Sequence, residues 1–201
     1  NISNATNFGD LNYGYKIGGI CCESTNIENC VNYGNIVGGT RGGYSTDLYG
    51  VGNCESYRNN YKGRIFNCIN YGNIEFESSD YYSCVISGIG NGIIEKCINF
   101  GDLKLVTQTR NSYLSSVQGN IYGISCAGYY TKITDSINYG TLFNGSIGDN
   151  ASSCSLKGNS FIYNSINIGL TDLNKNDWSM LYYCVNDNYF MIYSNNSNMG
   201  N

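Results

Sequence analysis

The stretch Asn29-Cys30-Val31-Asn32-Tyr33-Gly34-Asn35-Ile36 returns as Asn67-Cys68-Ile69-Asn70-Tyr71-Gly72-Asn73-Ile74 and again as Lys96-Cys97-Ile98-Asn99-Phe100-Gly101-Asp102-Leu103. Weaker copies are Asn4-Ala5-Thr6-Asn7-Phe8-Gly9-Asp10-Leu11 and Asp135-Ser136-Ile137-Asn138-Tyr139-Gly140-Thr141-Leu142, and Asn164-Ser165-Ile166-Asn167-Ile168-Gly169 is a decayed one. The central Asn falls at 7, 32, 70, 99, 138 and 167, at intervals of 25, 38, 29, 39 and 29 residues. A fixed pattern recurring at loose intervals marks a repeat architecture whose length differences sit in loops.

Within each copy the residue types alternate with the strand period of two. The β-branched and aromatic positions favour strand. Gly and Asn after the aromatic residue are expected to supply the turn, since both tolerate positive φ. A second element recurs between the copies, as Ile17-Gly18-Gly19-Ile20, Tyr49-Gly50-Val51, Ile86-Ser87-Gly88-Ile89 and Ile121-Tyr122-Gly123-Ile124. No 3.6-residue apolar period is present, and Gly recurs too often for helices. The pattern predicts an all-β chain, a parallel β-solenoid of about six imperfect 25–39-residue repeats over residues 1–171. Residues 172–201 depart from the repeat and are expected to cap the stack or to mediate assembly. Trp178, Tyr182, Tyr183, Tyr189 and Phe190 carry that segment's apolar load.

Stacking places like residues above like at about 4.8 Å. Asn7, Asn32, Asn70, Asn99, Asn138 and Asn167 then form an amide ladder, pointing inward or capping turns. Phe8, Tyr33, Tyr71, Phe100 and Tyr139 form an aromatic column, read as core stacking; facing outward, it would be a flat sugar-binding platform. Cys30, Cys68 and Cys97 share a column with Ala5, Ser136 and Ser165, which suits small, tightly packed residues.

The Gly-Gly-Ile element followed by Asn-Cys-x-Asn-x-Gly, over residues 4 to 171, resembles the GLUG-motif repeats of bacterial surface proteins. The resemblance implies a secreted or cell-surface, adhesin-like scaffold and carries over no catalytic residue. Ile or Val stands where the family has Leu, and Cys stands at small or apolar sites.

Composition narrows the function further. The chain of 201 residues has 13% charged residues, a formal net charge of −4, 32 Asn, 22 Ile and 20 Tyr, and neither His nor Pro. The Asn, Ile and Tyr bias looks like translation of a low-GC genome. No basic patch is available for phosphates, so no nucleic-acid partner is expected. Without His, nucleophile–His pairs are impossible, and a metal site would need distant thiolates. No apolar run approaches a membrane span. The chain does not begin with Met and shows no signal peptide, which reads as a mature chain or a fragment. Most of the ten cysteines are expected as free thiols, with Cys84, Cys154 and Cys184 the exceptions. Glu23 with Glu55, and Asp10 with Asp102, occupy equivalent positions and are candidate carboxylate pairs for a polysaccharide-acting enzyme. The expected function is a non-enzymatic extracellular scaffold without cofactors, binding a glycan or a protein through variable, Tyr-rich loops. The alternative is a subunit of a self-assembling surface filament; the enzyme is a distant third.

Overall fold

The computed structural model describes residues 1–14, 16–22, 24, 26–39, 46–52, 55–56, 61–78, 84–107, 119–126, 132–144, 152–158, 161–169, 171–173, 178–185 and 188–195. The described residues are all β, with no helix, and build a parallel β-solenoid of four stacked sheets. The chain visits the sheets in the same order in each coil. The first sheet stacks Ile2–Ser3, Asn26–Glu28, Arg64–Phe66, Ile93–Glu95, Lys132–Thr134 and Phe161–Tyr163. The second stacks Thr6–Asn7, Val31–Asn32, Ile69–Asn70, Ile98–Asn99, Ile137–Asn138 and Ile166–Asn167. The third runs from Leu11–Asn12 to Thr171–Leu173, and the fourth from Lys16–Gly18 to Ser152–Gly158.

Register is one-to-one throughout the second sheet, so Asn7, Asn32, Asn70, Asn99, Asn138 and Asn167 lie directly above one another. The chain bends at the Gly after the aromatic residue, between the second and third sheets, where the sequence placed its turn, but without positive φ; a further corner leads into the second sheet. Positive φ falls on Asn4, Asn29, Asn67, Lys96, Asp135 and Asn164, at the head of each copy, with angles from 46° to 57°. Asn and Asp tolerate this conformation best among non-glycine residues, which is why they fill five of the six positions.

The glycine after the aromatic residue serves a different need. A Cβ on Gly72 would lie 2.0 Å from the carbonyl oxygen of Gly34 one coil earlier, and Gly34, Gly101 and Gly140 stand in the same relation to the coil before. These glycines permit close backbone approach along the stack rather than a left-handed turn.

The core is pinched at its middle. Gly19, Gly50 and Gly88 on the fourth wall face the amides of Asn32, Asn70 and Asn99, so closely that an added Cβ would sit 2.5, 2.4 and 2.2 Å from the respective Oδ1. This contact explains why a Gly element precedes the Asn copies at 32, 70 and 99. The waist divides the apolar interior into two lobes. One holds Ile27, Ile65, Ile94 and Ile133 with Val51, Ile89 and Ile124; the other holds Ile36, Ile74, Leu103 and Leu142 with Leu48, Ile86 and Ile121. In Ile86-Ser87-Gly88-Ile89, Ile86 fills one lobe, Gly88 admits the Asn and Ile89 fills the other lobe. Each buried Ile contributes about 1.5–3 kcal/mol of transfer free energy.

After the last strand of the third sheet, Trp178–Val185 and Asn188–Asn195 pair antiparallel in register, with Tyr182 opposite Met191 and Tyr183 opposite Phe190. This hairpin is a two-stranded sheet of its own. Its first strand lies against Ser152–Gly158, which closes the fifth coil, and against Phe161–Tyr163 and Ile166–Asn167 of the sixth. The side chains of Trp178, Tyr182, Tyr183, Tyr189 and Phe190 fall outside the described part.

Candidate functional site: the outer face of the second sheet

The inner side of the second sheet is fully committed to structure. Asn7 Nδ2 donates to Asn32 Oδ1 at 2.8 Å, Asn32 to Asn70 at 2.8 Å, Asn70 to Asn99 at 2.8 Å and Asn99 to Asn138 at 2.7 Å. Each Nδ2 also donates to the carbonyl two residues on, as Asn70 does to Gly72 at 2.9 Å. Asn32, Asn70, Asn99 and Asn138 are completely buried. Unpaired, such groups would cost about 1–3 kcal/mol each; the ladder removes that cost. The side chain of Asn167 lies outside the described part.

The thiol column also has a specific role. Cys30, Cys68 and Cys97 are buried with their sulfurs donating to the carbonyl two residues earlier, at 3.1, 3.2 and 3.3 Å. Ser136 makes the same bond to Thr134 O at 2.7 Å. The column also accepts: Ala5 N–H points at Cys30 Sγ at 3.4 Å, and Cys97 N–H at Ser136 Oγ at 3.1 Å. Cys and Ser therefore stand in for each other from the second coil on, where the site takes a small side chain that both donates and accepts. Burial pushes the Cys97 thiol well up and the Cys30 thiol up, which keeps both as S–H donors. The six described cysteines with resolved side chains, Cys21, Cys22, Cys30, Cys68, Cys84 and Cys97, are free thiols. Cys84, expected as a loop exception, instead begins a strand of the fourth sheet and is buried in the core. Cys154 lies in another strand of that sheet and Cys184 in the hairpin, both with side chains outside the described part.

One residue along, the aromatic column faces outward, against the core-stacking expectation. A strand sends neighbouring side chains to opposite faces, and the inner place is taken by Asn. Phe8, Tyr33, Tyr71, Phe100 and Tyr139 are 76, 47, 42, 39 and 39% exposed. Their ring centroids lie 5.1, 4.9, 5.0 and 4.8 Å apart with interplanar angles of 0–5°. Each ring thus covers part of its neighbour's face. The surface is a stair of ring edges and Tyr hydroxyls. A flat platform for sugar stacking requires faces, so that form of the outward reading does not fit this geometry.

Beside the rings runs a half-buried aliphatic column of Val31, Ile69, Ile98, Ile137 and Ile166, also pointing outward. Two polar rims frame these columns. One is the left-handed corner, where Asn67 Nδ2 donates to Asn29 Oδ1 at 2.8 Å. The other is Asp10, Asn35, Asn73 and Asp102, whose Oδ1 atoms accept the N–H of the next coil at 2.7, 3.0, 2.9 and 2.8 Å. Asp10 and Asp102 are thereby turned to backbone support, three coils apart. Glu23 and the side chain of Glu55 lie outside the described residues, as do the loop tyrosines 44, 57, 81, 82, 113, 129 and 130. Tyr13 is described and 80% exposed.

The adjoining first sheet carries an ion cluster on its outer side. Arg64 and Lys132 both reach Glu95 at 2.6 Å, Glu28 lies 3.9 Å from Arg64, and the Arg64 guanidinium sits 4.0 Å over the Phe66 ring. Lys132 first, and Arg64 with it, hold the Glu95 carboxyl below its usual range. Among the described residues no three of Cys, Asp and Glu come together as metal ligands, and no helix is long and apolar enough to cross a membrane.

Comparison with known proteins found no matching family model, no similar curated protein and no similar solved structure.

Proposed function

We propose that the chain is a non-enzymatic, adhesive repeat scaffold of an extracellular surface protein of the GLUG-like kind, and that the outer face of its second sheet is a contact surface. The observation that supports this is the five-ring column flanked by a continuous aliphatic column on one exposed face. Contiguous apolar surface of this sort marks interaction sites in soluble proteins. Ring edges with hydroxyls, framed by amides, suit the Tyr-rich chemistry of protein contacts. They suit it better than the ring-face stacking that sugars use. The surface location follows from the resemblance alone.

The test is a binding panel of purified extracellular-matrix proteins run beside a glycan array, with the intact chain and a Tyr71→Ser/Phe100→Ser variant. Binding to a protein that weakens at least tenfold in the variant supports this face. Unchanged binding moves the contact to the variable loops. Selective glycan binding in both chains would reverse the choice of partner.

A further inference from the structure

We propose that the stacked thiols of Cys30, Cys68 and Cys97 form a binding site for soft, univalent metal ions of the copper(I) and silver(I) class. One ion is held between each successive pair of sulfurs, and Cys68 is shared by both.

The three residues are 38 and 29 positions apart in the chain, and the stack brings them together. Val31, Ile69 and Ile98 pair one above another, so the cysteines that precede them do the same. All three are completely buried, in the lobe that also holds Ile27, Ile65, Ile94 and Val51.

The spacing selects the chemistry. Equivalent atoms of neighbouring coils are about 4.8 Å apart. A disulfide needs its Cβ atoms at about 3.8 Å, closer than the coils hold them, and all three thiols are free. A metal–thiolate bond is about 2.3 Å long, so an ion midway between two stacked sulfurs meets both at an ordinary bond length. The two bonds are then nearly collinear. Thiolate-loving copper(I) and silver(I) accept two collinear ligands, whereas zinc wants four in a tetrahedron. Among the described residues no group of three such ligands converges on one point. Each univalent ion enters as one thiol proton leaves, so two ions replace two protons and the dry lobe gains no charge. Two divalent ions would bring four charges against only three protons.

The surroundings already suit a metallated sulfur. Each S–H donates to a carbonyl, of Glu28, Phe66 and Glu95 in turn. Those carbonyls also accept the N–H of Asn4, Asn29 and Asn67 at 3.0 Å, so losing the S–H leaves none of them unpaired. Each sulfur in turn receives a backbone N–H from the coil before. Ala5 N–H reaches Cys30 Sγ at 3.4 Å, and the N–H groups of Cys30 and Cys68 serve Cys68 and Cys97 in the same way. An N–H aimed at sulfur favours its anionic form.

The experiment uses the full chain, reduced, in chloride-free buffer. It is loaded with Ag⁺ and dialysed against a competing small thiol, and retained silver is measured by elemental analysis. The parent is compared with Cys30→Ser, Cys68→Ser and Cys97→Ser. Ser already occupies this column at position 136, so each variant without metal should keep the parent's circular dichroism. Cys68→Ser should retain two ions fewer than the parent, and Cys30→Ser and Cys97→Ser one fewer each. Silver should raise the melting temperature of the parent more than that of Cys68→Ser. Zn²⁺ loaded in the same way should be retained equally by both. Equal silver in the parent and Cys68→Ser would put the metal on other cysteines alone and overturn the proposal. A loss of one ion in all three variants would do the same, since it marks separate single-thiol sites. So would a parent melting temperature lowered by silver, or zinc retention that depends on Cys68.

Discussion

The inner and outer faces of the second sheet carry two homopolymeric columns one residue apart, Asn inside and aromatic outside, in the same register and at the same spacing. The inner column is buried, doubly hydrogen-bonded and clamped against glycines of the opposite wall. The outer column stacks ring on ring on the solvent side and stays partly exposed along its whole length. Repetition is equal on both faces; constraint is not. A column is structural when something across the core depends on it, and the rings have nothing across from them.

Four measurements bear on that contrast. Gly88→Ala should have the largest effect, since its Cβ must enter a space 2.2 Å from Asn99 Oδ1. Overpacking and a broken ladder together should cost about 3 kcal/mol or more by denaturant titration. A loss below about 1 kcal/mol would mean the waist is not a tight contact. Asn70→Leu comes next. It leaves Asn32 Nδ2, Asn99 Oδ1 and Gly72 O each one partner short, at a total of about 2–5 kcal/mol. Tyr71→Leu, one residue outward, should cost about 1 kcal/mol, and equal shifts for the two would erase the distinction between faces.

The thiol column sharpens the inner side further. Cys97→Ser should stay within about 1 kcal/mol of the parent, because Ser136 already makes the same bond. Cys97→Val, apolar but larger and unable to hydrogen-bond, should lose about 1–3 kcal/mol. The reverse order in thermal melts would return the column to plain small-residue packing.

The smallest effect belongs to the outer ion cluster. Lys132 and Arg64 hold Glu95 below its usual range, so its contribution is complete above the unfolded-chain value of about 4.3. It is lost as pH falls through the lower folded-state value. Being partly exposed, the cluster is worth about 1 kcal/mol or less. Glu95→Gln should remove that part of the acid-side decline in stability, and an identical pH profile in the variant would show the cluster to be inert.

Much of the fold was legible because the Asn-aromatic-Gly pattern carries its own register. The columns follow from aligning the copies by eye, and they are the columns of the stack. What the pattern could not give was depth. Asn and ring are adjacent, so only one can face inward, and a one-residue choice flips every side chain. The deciding partner, Gly50 for Asn70 or Gly88 for Asn99, is 20 or 11 residues away in the chain and becomes a partner only across the core. The glycine element that precedes the Asn copies at 32, 70, 99 and 138 was the available signal. The bend at Gly34 was legible but its reason was not: its lack of a side chain serves the neighbouring coil, and the left-handed corner falls instead on Asn29. The site's apolar composition was readable, but the ring edges were not, since edge or face depends on stacking tilt.

Successive central asparagines are separated by anything from 25 to 39 residues, yet each sits directly above the last. Extra residues are shunted outside the four strands and never displace a column. The molecule therefore measures height in motifs and not in residues, at about 4.8 Å per motif. A long loop inserted between the third and fourth strands would change what the rod displays without changing how far it reaches. Deleting one whole coil, with all four of its strands, would shorten it by one fixed step.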